Sequence, residues 1–579
     1  GFAAALLLAR ADLVRGVDRA EAGLDAAREG RGGQSADLLA GAARDLSDAH
    51  RRLDAWWARP VLGLPLVGQQ ARALSTLSEE GARLAASGAA GVRAAGLDDL
   101  RVVDGQVDLA QVRSMAEPLR SVRAQLADSL DGLEGAGSPW LLPPLAGGLD
   151  RFERTVVAAA GDADTAAQAV AVLPKLLGGD GERRYLIAFG TPAEARELGG
   201  FMGAYAVLAA RDGDLSLGGS NRVRNLNVFF QGSRFSDPGA LPSSYLAMLP
   251  QRFWHNMTAT PSFPTMAEAV GQLWQPPRAG ELDGILYMDP HTLAALLKLT
   301  GPIRIEGHQE PLTSRNAAQF LLRDQYTEFP DDDRHEFLVD AAEQVFDELT
   351  TGTLPEPNEV ADALSPVIAG RRLLAHSYHP AEQALFEQLG IDGGLPDGQG
   401  DFLTVRTQNR GLNKIDALLE RSIHYEVARD PSGAGITARV TITLRNEAPS
   451  SGLPHSVIGN RLGQPDGTNS TTLAIYTPLE LVDVTDDGRS IGRAASPEYG
   501  RNRFAVLLDL PPHSERTIVF ELAGPLDLAH GYHLDLVPQP LATADRMTVT
   551  VRLPLFGVVT PIADRPHNRT FTVDLRSLR

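Results

Sequence analysis

The chain contains no cysteine, which excludes disulfides, thiolate metal sites and a cysteine nucleophile. Lysine is scarce: Lys175, Lys298 and Lys414 are the only three, so arginine supplies nearly all the positive charge. That bias fits a high-GC coding sequence. Basic charge is also in deficit, with 54 Lys and Arg against 73 Asp and Glu and a net charge of −19. A surface of that sign argues against general nucleic-acid binding, which depends on displacing counterions from phosphates. The phosphate-loop G-x-x-x-x-G-K-[ST], the dinucleotide G-x-G-x-x-G and the nucleophile-elbow G-x-S-x-G are all missing. His335-Glu336 lacks the second histidine of a zinc H-E-x-x-H site.

Long apolar runs are missing as well. Residues 1–9, G-F-A-A-A-L-L-L-A, are wholly apolar and followed by Arg10, but a bilayer takes about 20 such residues. The first residue is Gly rather than Met, so the start reads as trimmed. We expect this run to be the outer end of a single transmembrane anchor that holds the rest outside the cell. Nothing later reads as long and apolar enough to span.

A length of 579 residues suggests three or four domains, and the apolar period changes twice. Residues 1–172 are rich in Ala, Leu, Arg, Asp and Glu with apolar positions at helical spacing. They predict a helical, membrane-proximal stalk or bundle, with a small hairpin around Asp104-Gly105. Residues 173–420 mix short apolar runs with helical patterns and predict an α/β domain. Residues 421–579 alternate apolar and polar positions, with turns about every 10 residues, and predict an antiparallel β-sandwich.

Chemistry concentrates between Arg183 and Leu217. Tyr185 to Phe189 reads as a buried strand stopped at Gly190-Thr191-Pro192, and residues 204–210 as a second strand turning at Asp212-Gly213. Between them a loop carries Glu194, Arg196, Glu197, Gly199, Gly200 and Gly203. A loop at strand ends in an α/β sheet is a ligand position. Equally, the glycines mark close backbone packing. Arg222 and Arg224 lie two apart and, on a strand, would share a face toward one anion. Further on, Ile285 to Met288 reads as a strand and Asp289 as the cap of a helix that opens on Pro290 and ends at Gly301. Asp333 with Glu336 reads as a capping box. It puts Arg334 in a first helical turn, where the helix dipole opposes a cation and an anionic partner is expected.

The run Y-L-I-A-F-G-T-P-A-E-A-R-E-L-G-G-F-M-G-A-Y, with Thr191 at a position usually Asn, resembles the signature of the domain-of-unknown-function family 4012. The similarity extends through D-G-I-L-Y-M-D-P and the T-G-P turn. It implies a single-pass envelope protein of Gram-positive bacteria. The order of elements is also similar to the LytR–CpsA–Psr phosphotransferases, which attach glycopolymers from a polyprenyl-pyrophosphate carrier to the cell wall. That similarity implies Arg196 and Arg334 as catalytic positions, with Arg222, Arg224, Arg323, Gly199 and Gly200 binding the ligand. It also implies Mg2+ at Glu194 and Asp289, Glu197 being a further carboxylate in reach. The chain departs from that family where Pro192, Ala193 and the glycines replace metal-binding aspartates, and where the family's pair of arginines in the penultimate helix becomes Arg323 and Asp324. Two functions follow from the resemblance. One is transfer of a phosphate-linked glycan. The other is a non-catalytic envelope protein on the same fold that recognises a glycan, a lipid or a protein partner.

Overall fold

The computed structural model describes residues 2–55, 67–96, 102–103, 106–133, 141–274, 280–329, 337–351, 355, 357–398, 400–430, 435–529, 531–553, 557–567 and 569–575. The chain divides into two compact units. One comprises residues 1–183 with 210–215 and 350–362; the other comprises 184–209, 216–349 and 363–579.

The first unit is helical, as its 3.6-residue period predicts. Its helices are α1 (Phe2–Arg28), α2 (Gly32–Leu53), α3 (Val67–Ala95), α4 (Leu109–Ser114), α5 (Ala116–Leu133) and α6 (Pro143–Leu176). Small residues set the packing. A Cβ on Gly91 would sit 2.0 Å from Val122 Cγ2, and one on Gly23 2.8 Å from Leu39 Cγ, so α3 against α5 and α1 against α2 approach closely. Leu126, Val156 and Ala159 form one local core with Leu24, Leu84 and Phe152 packed on it. The expected hairpin is present: β1 (Val102–Val103) pairs with β2 (Gln106–Val107). One expectation is corrected. Helix α6 is long and apolar enough, by length and composition, to cross a membrane. Its alanines and valines recur without a continuous apolar run, so the sequence pattern reads as a bundle helix; in the structure it packs against α5.

In the second unit, β3 (Arg183–Arg196), β4 (Gly199–Arg211), β5 (Asp214–Arg222), β6 (Gly284–Met288) and β7 (Leu373–Ser377) lie in the order β5-β4-β3-β6-β7. The β3–β6 pair is parallel and β6–β7 antiparallel. Alternate residues of β3 feed two cores. Leu186 and Ala188 join Phe263, Met266, Val270 and Trp254 on one side. Ile187 and Phe189 join Leu293, Leu297, Phe320 and Phe337 on the other. The sheet is therefore covered on both faces, which is why 185–189 is apolar throughout.

The rest of the unit holds two further sheets, built on β8 (Asp401–Asn409), β9 (Leu419–Arg429), β10 (Ile436–Asn446), β11 (Asn469–Thr477), β12 (Glu480–Asp486), β13 (Arg489–Ser490), β14 (Ala494–Glu498), β15 (Arg501–Leu510), β16 (Ser514–Gly524), β17 (Tyr532–Leu536), β18 (Asp545–Leu553), β19 (Gly557–His567) and β20 (Phe571–Leu575). Their orders are β13-β12-β16-β10-β9-β18-β19 and β14-β15-β11-β8-β17-β20. One hydrophobic cluster draws on both, from Leu403, Leu473 and Val506 to Ile423, Val440 and Phe520. Two details depart from expectation. The β region begins at Asp401 rather than at 421. Its pairing is mixed, because β8–β17 and β9–β18 run parallel. The α/β and β regions also share one compact unit, with no division at 420.

Candidate functional site

The stretch expected as a loop is strand. β3 continues from Gly190 to Arg196, turns at Glu197-Leu198, and β4 starts at Gly199. Close approach explains the glycines. A Cβ on Gly200 would sit 2.0 Å from Thr191 C, and one on Gly190 2.2 Å from the Tyr287 hydroxyl; Gly199 also has φ +151°. The backbone amide of Gly200 donates to the Tyr287 hydroxyl at 3.3 Å.

The charges at this hairpin end face inward. Arg196 is 1% exposed. Its Nη2 pairs with Glu194 at 3.0 Å, its Nε donates to Asn256 Oδ1 at 3.1 Å and its Nη1 to the Ala195 carbonyl at 2.9 Å. Glu194 also pairs with Lys414. Desolvation pushes the Glu194 carboxyl upward, but the charges of Lys414 and Arg196 outweigh it and hold the group below the usual carboxylate range. Glu197 accepts from Arg503 at 3.0 Å and from the Tyr476 hydroxyl at 2.6 Å. Asp416 accepts from the Ala195 amide at 2.9 Å, Asn409 at 2.7 Å and Asn469 at 2.9 Å. Gln539 closes the network, donating to the carbonyls of Arg196 at 2.8 Å and Thr407 at 2.7 Å. Every long-range partner except Asn256 lies beyond residue 400, so the motif's polar residues fasten the α/β sheet to the β region.

Asp289 caps its helix as predicted: its Oδ1 accepts from the amides of His291 at 2.9 Å and Thr292 at 3.0 Å. Its other oxygen pairs with Arg372 at 2.5 Å. Glu194 and Asp289 are thus each buried and committed to cations or amides. The oxygens a Mg2+ ion would need are occupied, and the pair does not fit the metal-site expectation. Among the described residues no three His, Asp or Glu cluster as ligands would.

The other expected arginines are placed elsewhere. Arg222 is the last residue of β5 and Arg224 lies in the helix α7 (Val223–Phe229). The strand argument for a shared face therefore lapses, since residues two apart on a helix point to different sides. Arg224 and Arg323 are exposed, whereas Arg196 is enclosed. Arg334, Asp333 and Glu336 lie outside the described residues.

Sequence reasoning missed Lys414, Asp416, Arg406 and His255. Arg406 is fully buried and donates to the Glu197 carbonyl at 2.9 Å. Lys414 is the one signal available beforehand, a lone lysine within a long arginine-rich stretch. The enclosed network opens toward solvent around it. Lys414 lies over the Phe201 ring at 4.1 Å, and Phe201 packs on His255.

Comparison with known proteins bears on residues 180–326, which match the family described as "Protein of unknown function (DUF4012)". No curated protein matches the chain. Among solved structures, a "putative nutrient binding protein" from Legionella pneumophila is similar at 10% identity and a TM-score of 0.18, over 31% of this chain and 69% of that one.

Proposed function

Taking residues 180–326 as a DUF4012 region, we propose that the chain is a single-pass, extracytoplasmic envelope protein that binds a glycan during glycopolymer assembly or attachment without turning it over. Residues 1–9 are the outer end of its anchor. The first unit is the membrane-proximal stalk, the α/β part is arranged as in the LytR–CpsA–Psr proteins, and the two β sheets pack as a sandwich. The observation that carries the reading is the enclosure of Arg196. A transferase on this fold needs that guanidinium on a pyrophosphate, where preorganised charge stabilises the transition state. Here it is consumed by Glu194, Asn256 and Ala195.

The test uses the full-length, membrane-embedded protein. It is expected to face the outside, to be digested by protease added to intact cells, and in detergent to sediment with isolated envelope glycan. It is expected to release no glycan from a labelled polyprenyl-pyrophosphate carrier in the presence of Mg2+. Carrier-dependent transfer of the label, lost in Arg196→Lys, overturns the non-catalytic reading.

A further inference from the structure

The open edge of the charge network has an aromatic surface. Phe201, Phe253 and His255 are half-buried, and each phenylalanine ring lies tilted beside the imidazole, with ring centroids 6.1 Å apart for Phe201–His255 and 5.6 Å for Phe253–His255. Two cations rest on these rings: Lys414 over Phe201 at 4.1 Å and Arg252 over Phe253 at 5.1 Å. The loops that deliver them are strained in the same way. Leu249, three residues before Arg252, has φ +51° and is 42% exposed; Leu412, two before Lys414, has φ +55° and is 51% exposed. A leucine in the left-handed region is sterically disfavoured, and strain of this kind collects at ligand clamps. His255 makes no hydrogen bond among the described residues, and burial, reinforced by Arg196, lowers its pKa to about 4, so its ring is an uncharged donor and acceptor at neutral pH.

We propose that Phe201, Phe253 and His255, flanked by Arg252 and Lys414, form a binding site for an acidic sugar residue. This rests on the glycan-binding reading and adds the site and the ligand class. The ring surface of Phe201 and Phe253 left uncovered by Lys414 and Arg252 suits the C–H face of a pyranose. The imidazole suits a hydroxyl. Arg252 is exposed and free to pair with a carboxylate or phosphate on the sugar, whereas Lys414 is already shared with Glu194 and adds field more than a bond. Arg196 and Lys414 are balanced by Glu194 and the neighbouring Asp416, so the positive charge left to favour an anion is that of Arg252 over Phe253. The chain's net charge of −19 does the opposite at long range. Attraction is therefore confined to this patch and short in reach.

Calorimetric titration of the full chain with an oligogalacturonate, a glycerol-phosphate oligomer and neutral maltohexaose tests it, together with Arg252→Gln and Phe253→Ala. At least one acidic oligomer is expected to bind about tenfold more tightly than maltohexaose. Arg252→Gln is expected to remove about that factor, the size of one charge-assisted contact. Phe253→Ala is expected to weaken all three sugars, and the melting temperature of each variant, read beside that of the exposed Arg252→Gln, checks that the fold is intact. Binding of only one acidic oligomer identifies carboxylate or phosphate as the anion. If the wild type binds acidic oligomers and both variants match it, the site lies elsewhere, and this inference fails while the glycan reading stands. If the wild type sediments with envelope glycan yet binds no acidic oligomer, the ligand class is wrong. If it does neither, both fail.

Discussion

The two units place their charges in opposite ways. In the helical unit, Arg28–Asp162, Arg120–Glu117 and Arg123–Asp164 are pairs between exposed side chains, and the interior is mainly small and apolar residues, with Asp12 its one buried charge among the described residues. In the second unit, Arg196, Arg406, Arg421, Glu194, Glu197 and Asp416 are all buried. The helical unit is thus specified by shape, because helices that touch through Gly91 or Gly23 have no room for another arrangement. The second unit is specified by partner, since buried charges meet counterparts far along the chain, as Glu194 meets Lys414, Glu197 meets Arg503 and Arg421 meets Asp545. The buried arrangement leaves little latitude for a missing partner, and the exposed one leaves much.

The largest break in that contrast comes from Arg196→Ala. It strands Glu194 and Asn256 in the interior with Lys414 as the remaining cation. Removing one member of a buried pair costs about 3–5 kcal/mol. We expect denaturant unfolding of the second unit to shift by that amount. A melting curve unchanged from wild type would mean the guanidinium is solvated and available to ligand, and would restore the transferase reading.

Asp401 sharpens the comparison from inside the second unit. Its carboxyl is enclosed and accepts from Tyr425 at 2.7 Å, Tyr532 at 2.6 Å and the Phe402 amide at 2.8 Å, with no cation paired to it among the described residues. Desolvation raises its pKa to about 6, against the lowering effect of those hydrogen bonds. Glu194, with two cations, moves the other way. The signs follow. Asp401 favours the folded state below its unfolded pKa, and that contribution is lost as pH rises through about 6. Glu194 favours folding above its unfolded pKa and loses that contribution as pH falls through its lower, folded value. About two pKa units correspond to roughly 3 kcal/mol. Denaturant melts of wild type and Asp401→Asn are therefore expected to diverge by about that much, in favour of the variant, between about pH 4 and pH 8. Parallel behaviour across the range would show that Asp401 is hydrated.

How much of this could be read beforehand depended on where the partner lies. The strand at 185–189, the strand at 285–288, the Asp289 cap and the hairpin at 102–107 rest on neighbours within a few residues, and periodicity and capping chemistry expose such features. Asp212-Gly213 also turns as its residue types predict, with φ +51° and +86°. The extension of β3 through Gly190–Arg196 was hidden. Gly190 and Pro192 signal a break locally, and only pairing with β4 overrides them. β8 was hidden for a related reason. Its Thr404, Arg406 and Gln408 read as a solvent-facing row, yet all are buried, and nothing in F-L-T-V-R-T-Q-N announces that Arg406 donates to the Glu197 carbonyl more than 200 positions earlier or Thr404 to the Val537 carbonyl more than 100 later. The charge of Arg196 was legible; its use was not, because Glu194 is two residues away while Asn256, Asn409 and Gln539 are not local at all.

The smallest effect tests the other side of the comparison. Arg28 reaches Asp162 at 2.9 Å and Asp25 at 3.0 Å, linking α1 to α6. Hydrogen bonding to Asp162 raises its pKa further, but the guanidinium and both carboxylates are largely exposed. Water and salt screen such pairs, and ordering two long side chains offsets part of the attraction, so exposed pairs contribute roughly 0.2–1 kcal/mol. Arg28→Gln keeps the chain length and much of the hydrogen bonding. We expect it to shift unfolding of the helical unit by no more than about 0.5 kcal/mol, and by less still near 1 M salt, where the Debye length is about 3 Å. The salt series is the informative arm. A loss that persists at high salt, or one approaching that of Arg196→Ala, would mean that the helical unit also depends on specific charge partners, and the contrast between its shape-determined packing and the partner-determined second unit would fail.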